Sequence, residues 1–170
     1  AIPELEILAS KGIGIASDET VKIENAELTS EGLYAGIDAV NLIITDSTVK
    51  LKSSQENCNA AFIREGQTED CGNITLMNSQ VTAESYYPGL FAAGNMLIDG
   101  GMLKSTSTDD SAIWAVGDLT IKGGAKLLTN GAYPFGCAGN FSVEMVDIDA
   151  KNTHAENIPA MGDNPTIAEN

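Results

Sequence analysis

The segment NMLIDGGMLKST, residues 95–106, is followed 23 residues later by the similar segment DLTIKGGAKLLT, residues 118–129. Both contain an apolar-x-apolar triplet, a turn with two glycines, and a second run in which apolar and polar residues alternate. Alternation of this kind is typical of β-strands with one buried face, and paired glycines are typical of turns. Two strands joined by a tight turn and repeated at a fixed interval indicate a repeat protein.

The same pattern extends along the chain in both directions. Six triplets are present, and they end at Ile23, Ile44, Leu76, Ile98, Ile121 and Val143. Consecutive triplets are separated by 21, 32, 22, 23 and 22 residues. A third short strand accompanies each pair of strands, in the order GIGI, GLYA, AFI, GLFA, AIWA and PFGC. Three short strands in about 22 residues predict one coil of a parallel β-helix.

We therefore predict an all-β fold, a single-stranded right-handed parallel β-helix (solenoid) of six to seven coils. A helical fold is excluded because the apolar residues recur at period two and turn residues are too frequent. The right hand follows from the general rule for parallel crossovers. A chain of 170 residues supports one core, so residues 1–170 are expected to form a single domain.

Both ends of the chain are expected to lie within incomplete coils. The segment 158–163 repeats the start of the coil at 90–95, which predicts the beginning of a seventh coil. Because solenoids need polar caps over their open ends, we expect the domain to be a piece of a longer protein or to be capped by a partner.

A polar column accompanies the triplets. Three residues before the last member of each triplet stand Thr20, Asn41, Asn73, Asn95, Asp118 and Asn140. Stacked about 4.8 Å apart, such side chains predict a structural ladder of hydrogen bonds along the axis. Asn73 and Asn140 also begin glycosylation sequons, which the ladder explains without a glycan.

The charge of the chain excludes several classes of partner. It has 24 acidic and 9 basic residues, a formal net charge of −15. This balance opposes binding to nucleic acid, and to anionic sugars unless a cation bridges the two. No run of about 18 apolar residues occurs, so no membrane insertion is expected. We expect an extracellular or cell-surface protein whose signal peptide is not in this chain.

Alternation within the third strand predicts an aromatic column on one outer face. Tyr34, Phe62, Phe91 and Trp114 occupy the outward position in four successive coils, although aromatic residues are only 5% of the chain. The loops that enter this strand add Tyr87 and Tyr133. Four half-exposed rings would form a patch of roughly 300–500 Å², the size at which exposed apolar surface tends to be functional.

Three interpretations of this column are open. It is a platform that binds polysaccharide, with the six aromatic residues as ligand-binding residues, or a packing face for another domain or a second copy. The third interpretation is a structural ladder in which stacked rings stabilise one another by about 0.5–1.5 kcal/mol per pair.

The 32-residue interval places about ten extra residues in the third coil, within 52–74. Cys58 and Cys71 flank the strand in this segment and either form a disulfide or remain reduced. Arg64 and the acids Glu65, Glu69 and Asp70 are interpreted as a solvated loop with a local ion pair. Cys137, where other coils have alanine, is interpreted as a small buried apolar residue.

Calcium is the cofactor that the acidic composition allows. The candidate ligands are Asp109 and Asp110 in one turn, and Asp147 and Asp149, which alternate onto one outer face. Calcium requires six to eight converging oxygen atoms, and no EF-hand or nonapeptide calcium motif is present.

The repeated triplet followed by DGG at 99–101 or KGG at 122–124, with AKL at 125–127 and AIWA at 112–115, resembles a known group. It is similar to the parallel β-helix carbohydrate-binding modules of clostridial and other gut-bacterial cell-surface proteins, which are related in fold to pectate lyases. The resemblance covers nearly all of the chain and rests on repeats that many solenoids share. It implies binding to acidic plant polysaccharide, assisted by calcium, and assigns no individual residue.

We therefore expect a non-catalytic extracellular polysaccharide-binding module. The alternative is a structural or adhesive segment of a bacterial surface protein, whose aromatic face is covered by another domain. A pectate-lyase-like enzyme is a more remote alternative, since such lyases use calcium-binding acids beside a basic residue and related hydrolases use clustered aspartates. The chain has a single arginine and no adjacent outward aspartates on neighbouring coils, so no catalytic residue is assigned.

Overall fold

A computed structural model of the protein describes residues 2–67 and 70–152. This part of the chain is all-β and consists of nineteen short strands. The first ten are β1 (Glu4–Ala9), β2 (Ile13–Ala16), β3 (Thr20–Glu24), β4 (Glu27–Gly32), β5 (Ala35–Ala39), β6 (Asn41–Thr45), β7 (Thr48–Ser53), β8 (Ala61–Ile63), β9 (Ile74–Met77) and β10 (Gln80–Ser85). The others are β11 (Leu90–Ala92), β12 (Met96–Asp99), β13 (Met102–Ser107), β14 (Ile113–Ala115), β15 (Leu119–Lys122), β16 (Lys126–Gly131), β17 (Gly136–Cys137), β18 (Phe141–Val143) and β19 (Asp147–Asn152).

These strands form three parallel sheets that wind as a solenoid. Sheet A has the order β1-β4-β7-β10-β13-β16-β19, sheet B the order β17-β14-β11-β8-β5-β2, and sheet C the order β18-β15-β12-β9-β6-β3. Each coil therefore contributes one strand to each sheet, and each strand pairs with its counterparts about 22 residues away. The predicted parallel β-helix with three strands per coil is confirmed. The predicted seventh coil at 158–163 lies outside the described residues.

The core is a single apolar column inside the three sheets. Inward side chains from every sheet are almost completely buried, among them Leu42, Ile44, Ile63, Leu90, Ile98, Leu103, Ile113, Leu119 and Ile121. Two serines share this interior, and each donates its hydroxyl to a backbone carbonyl: Ser30 to Gly36 at 2.7 Å and Ser105 to Ala112 at 2.6 Å. These two hydroxyls are thus paired, as burial of a polar group favours. The hydroxyl of Thr129, which lies opposite Ser105 on the next coil and is also buried, has no hydrogen-bond partner among the described residues.

The predicted polar ladder is present at the corner that leads into sheet C. From Asn41 to Asp118, the side-chain oxygen of each member accepts a hydrogen bond from the backbone N–H of the next member, whereas no such bond joins Thr20 to Asn41 in the described part of the chain. The bonds run from Asn73 to Asn41 at 2.9 Å, from Asn95 to Asn73 at 2.7 Å, from Asp118 to Asn95 at 2.8 Å and from Asn140 to Asp118 at 2.7 Å. Only a side-chain oxygen is needed, so an aspartate fits the column as well as an asparagine does.

Glycine precedes the later members of this ladder for a steric reason. A Cβ atom on Gly94, Gly117 or Gly139 would lie 2.3–2.6 Å from the side-chain oxygen of the ladder residue one coil earlier. Real Cβ atoms do not approach an oxygen that closely. The ladder and its glycines are therefore one structural unit, Gly-Asn or Gly-Asp, stacked coil upon coil.

This unit predicts that alanine destabilises the fold at a ladder glycine and is tolerated at a glycine outside the ladder. Gly117→Ala should lower the free energy of unfolding by about 1–3 kcal/mol, because its methyl group would displace the Asn95 oxygen and break the bond to Asp118. Gly12→Ala is the matched control, since a Cβ there meets no atom within 4 Å. Urea denaturation followed by circular dichroism measures both, and equal midpoints for the two variants would contradict this account.

The predicted register of the third strand in the second coil is wrong. The alternation predicts GLYA, 32–35, as the strand, with Tyr34 outward. In the structure β5 begins at Ala35, and Ile37, Asp38 and Ala39 lie opposite Ala61, Phe62 and Ile63. This register buries Ile37 and Ala39 completely. The observed register buries Ile37 completely and leaves Leu33 half-buried in the preceding corner, and complete burial of the isoleucine makes this register the more favourable one.

The extra residues of the third coil lie mainly after its third strand. Ten residues, 64–73, separate β8 from β9, whereas three residues, 93–95, separate β11 from β12. Cys58 precedes β8 and Cys71 follows it, and no disulfide joins them. A disulfide requires Cα atoms about 4.4–6.8 Å apart, and the two cysteines lie beyond opposite ends of the strand.

Candidate functional site

Three aromatic residues form a column on the outer face of sheet B. Phe62 lies opposite Phe91 across the β8–β11 pair, and Phe91 lies opposite Trp114 across the β11–β14 pair. The rings of Phe62 and Phe91 stack with centroids 5.3 Å apart and planes inclined by 30°. The predicted column is therefore present over three coils, and the in-register pairing of parallel strands aligns it.

The column forms the floor of a groove of about 490 Å³, which we name the aromatic groove. It is lined by Asn57, Asn59, Phe62, Tyr87, Pro88, Phe91, Asp110 and Trp114. The non-aromatic residues belong to the corners that connect sheet A to sheet B, so they form one wall beside the floor. The sequence does not predict Asn59 and Pro88 as groove residues, and it predicts Asp110 only as a calcium ligand, because these corners differ in length and have no common pattern.

Hydrogen bonds between successive corners fix this wall. Asn59 donates its side-chain amide to the carbonyl of Pro88 at 3.0 Å, and the backbone N–H of Tyr87 donates to the carbonyl of Cys58 at 3.2 Å. The hydroxyl of Ser107 donates to the carbonyl of Tyr86 at 2.8 Å, and it accepts a hydrogen bond from the backbone N–H of Asp110 in its own corner at 3.0 Å. Polar groups of the wall are thus held in place above an apolar floor.

Gly136 ends the column and supports its tryptophan. The residue lies opposite Trp114 across the β14–β17 pair. A Cβ atom on Gly136 would lie 2.6 Å from Cζ3 of the indole, so the ring covers the glycine backbone. The indole therefore lies across the next coil, which leaves it half-buried.

This contact predicts a spectroscopic change on substitution of the glycine. Gly136→Ala should displace the indole, and because Trp114 is the single tryptophan, the emission maximum of the protein should shift. Gly12→Ala, which meets no neighbouring atom, should leave the spectrum unchanged. An unaltered emission spectrum in Gly136→Ala would show that the indole does not lie on this glycine.

At the opposite end of the column, the outward position is occupied by Asp38 and not by the predicted Tyr34. Asp38 takes the outward position beside Phe62, and Ala16 takes it one coil earlier. Tyr34 is 51% exposed in the corner before β5. It lines a smaller cavity of about 270 Å³ that shares Asn57, Asn59 and Phe62 with the aromatic groove. Tyr34 therefore lies beside an extension of the groove without being part of the column.

The remaining predicted aromatic residue lies outside the groove. Tyr133 forms a parallel bridge with Ser111 in the corner between β16 and β17. Its side chain is half-buried and is not part of the groove lining. Tyr87, in contrast, is 39% exposed and contributes to the wall as predicted.

Arg64 binds two aspartates of earlier coils, which the interpretation of a local ion pair did not include. Its Nε donates to Asp38 at 2.6 Å, and its Nη2 donates to Asp18 at 2.9 Å and to the carbonyl of Ser17 at 2.8 Å. The hydrogen bonds to Asp38 and then to Asp18 raise the pKa of Arg64. The arginine thereby ties three coils together. Glu69 lies outside the described residues.

Loss of this arginine should destabilise the fold through Asp38, whose side chain is only 20% exposed. Arg64→Ala should lower the urea midpoint of unfolding, since a half-buried carboxylate loses its partner. Asp18 is 95% exposed, and Asp18→Asn should cost less than about 1 kcal/mol. Repeating Arg64→Ala in an Asp38→Asn background tests the cause: an undiminished loss there would contradict it.

The two predicted pairs of calcium ligands lie in different parts of the fold. Asp109 and Asp110 lie in the corner between β13 and β14, whereas Asp147 and Asp149 lie on β19 in sheet A. Asp110 accepts a hydrogen bond from the N–H of Ser111, and Asp147 lies 3.7 Å from the ammonium of Lys126. Within residues 2–67 and 70–152, no group of three or more His, Cys, Asp or Glu side chains is placed to hold a metal ion.

Two thiols have environments that lower their reactivity. Burial raises the pKa of Cys58 and, as the largest of several effects, that of Cys137. A raised pKa keeps a thiol protonated, and the protonated form is a poor nucleophile. Cys137 also packs against the core, in agreement with its interpretation as a small apolar residue.

Comparison with protein-family models, with curated proteins and with solved structures found no match to this chain. In the described part of the chain, no helix is long and apolar enough to span a membrane.

Proposed function

We propose that this β-helix is a non-catalytic module that binds a polysaccharide chain in the aromatic groove. The observation that carries the proposal is the in-register column of Phe62, Phe91 and Trp114 beneath a wall of fixed polar groups. No catalytic residue is part of the proposal. Because structural polysaccharides are found outside cells, we place the protein at a cell surface or in the extracellular space.

The two surfaces of the groove suit the two surfaces of a sugar ring. A pyranose has an apolar face of C–H groups, which packs against an aromatic ring, and a polar edge of hydroxyl groups, which requires hydrogen-bond partners. The column supplies apolar ring surface, and Asn57, Asn59 and Asp110 supply amides and a carboxylate beside it. Few other ligands combine these two requirements along a linear path.

The spacing of the column suits a polymer that lies along the solenoid axis. Adjacent strands are about 4.8 Å apart, and the ring centroids of Phe62 and Phe91 are 5.3 Å apart. These steps approximate the length of one sugar unit in an extended chain. Successive sugar units can therefore contact successive coils, and a single sugar should bind more weakly than an oligomer.

The alternative, a structural segment whose aromatic face packs against another protein domain, is favoured by one observation. Exposed aromatic rings on this face include Tyr34 at 51%, Tyr87 at 39% and Phe62 at 36%. Apolar side chains at such exposure are also what a protein interface would cover. Binding of oligosaccharides distinguishes the two functions, since a face that only packs against a protein domain has no affinity for a glycan.

The binding proposal predicts a fluorescence response and its loss on mutation. Trp114 is the single tryptophan, so a panel of oligosaccharides from cellulose, xylan, chitin and pectin can be titrated while its emission is recorded. Replacing both Phe91 and Trp114 by alanine should weaken binding by at least about tenfold in an affinity assay. A glycan array with the intact protein extends the panel.

Leu97→Ala and Leu128→Ala are matched controls, because these half-buried apolar residues point outward from sheets C and A. Both should bind as the unsubstituted protein does. Binding that survives loss of Phe91 and Trp114, or no binding to any glycan, would refute the platform. A rise in absorbance from unsaturated product on polygalacturonate would instead reveal a lyase.

A further inference from the structure

We propose that the polysaccharide taken by the aromatic groove carries free amino groups, as a polymer of hexosamine units does. This inference rests on the proposed function and adds the chemical class of its ligand. It is argued from the charge of the groove lining, which selects among sugars that the aromatic floor alone would accept equally well.

Among the residues that the structure describes, Asp110 is the one charged residue that lines the aromatic groove. It lies in the corner between β13 and β14, in the same wall as Tyr87 and Pro88. One carboxylate oxygen accepts a hydrogen bond from the N–H of Ser111, and the backbone N–H of Asp110 is held by Ser107. Within the part of the chain that the structure describes, no salt bridge neutralises this carboxylate.

Cationic side chains are placed elsewhere on the molecule. Lys50 and Lys104 point outward from sheet A, and Lys22 and Lys122 point outward from sheet C. Arg64 is bound to Asp38 and Asp18. The groove lining contains neither lysine nor arginine. A uronic acid would therefore meet a carboxylate, no cation and a protein of formal charge −15, which together repel it.

An ammonium group finds two favourable interactions in the same place. The indole of Trp114, which is half-buried and lines the groove, attracts a cation to its face through its quadrupole. The carboxylate of Asp110 forms a charge-assisted hydrogen bond with an ammonium group, which is stronger than a bond between neutral partners. A hexosamine unit stacked on the column presents its ammonium at the ring edge, toward the wall that carries Asp110.

The acidic plant glycan that the sequence resemblance implies is thus the ligand that this groove suits least. Acidic sugars would need a bridging calcium ion, and the two predicted pairs of ligands lie in different parts of the fold. The hexosamine polymer needs no metal, because the groove itself supplies the opposite charge.

Three oligosaccharides of equal length test this inference by titration of Trp114 fluorescence at low salt and mildly acidic pH. They are a β-1,4-linked glucosamine oligomer, its fully N-acetylated form, and an oligogalacturonate. We expect the glucosamine oligomer to bind about three- to tenfold more tightly than its acetylated form and the oligogalacturonate to bind most weakly. Salt should reduce the preference for the amine, because screening acts on the charged contact.

Asp110→Asn should remove the preference for the amine while the acetylated oligomer binds as before. Asp109→Asn is the matched control, since Asp109 is the exposed neighbour that does not line the groove. Spermine, a polyamine without sugar rings, should leave the Trp114 emission unchanged.

The outcomes separate this inference from the proposed function. Equal affinity for the amine and its acetylated form, or an equal effect of Asp109→Asn and Asp110→Asn, overturns the amino-sugar assignment and leaves the platform intact. Preferential binding of oligogalacturonate also overturns it. If none of the three ligands and no glycan of the wider panel binds, the platform and the amino-sugar assignment fail together.

Discussion

Parallel strands of neighbouring coils pair residue for residue, and this register determines where every other feature of the molecule lies. A residue at a given place in one coil is stacked on its counterparts about 4.8 Å above and below. Apolar counterparts form the core, aromatic counterparts form the groove floor, and amide counterparts form the ladder. A one-residue slip in any strand would reverse the two faces of that strand, so the large buried area of the core maintains the register.

The ladder shows how stacking changes the requirements on single residues. In an isolated coil the Gly-Asn pair would be an ordinary turn. In the stack, the oxygen of Asn95 lies where a side chain on Gly117 would be, and the N–H of Asp118 reaches that oxygen at 2.8 Å. The glycine is therefore dictated by the coil before it and not by its own backbone conformation. Asn95 and Gly117 are about 22 residues apart in the sequence, but the repeat places them in contact, so the side chain at one position limits the residue type at the other.

Most of the fold could be predicted because the repeat presents the same rule several times. The triplets that end at Ile98 and Ile121 identify sheet C, and the alternation after each turn identifies sheet A. The third strand of the second coil is predicted in the wrong register because inward and outward residues alternate equally well in two registers of GLYAGIDAV. The choice between them is made by complete burial of Ile37 and by the contact of Asp38 with Arg64, 26 residues away, and neither is visible locally.

The candidate site was predictable in its floor and not in its wall. Phe62, Phe91 and Trp114 lie on regular strands, so period two gives their common face. Asn59, Pro88 and Asp110 lie in corners of unequal length, whose positions depend on hydrogen bonds between coils. The direction of the ladder adds one consequence: each coil offers an acceptor to the next, so a whole coil can be inserted or removed without leaving an unpaired group. The reach of the groove along a polymer could then be lengthened or shortened by genetic duplication or loss of one repeat, in steps of about one sugar unit.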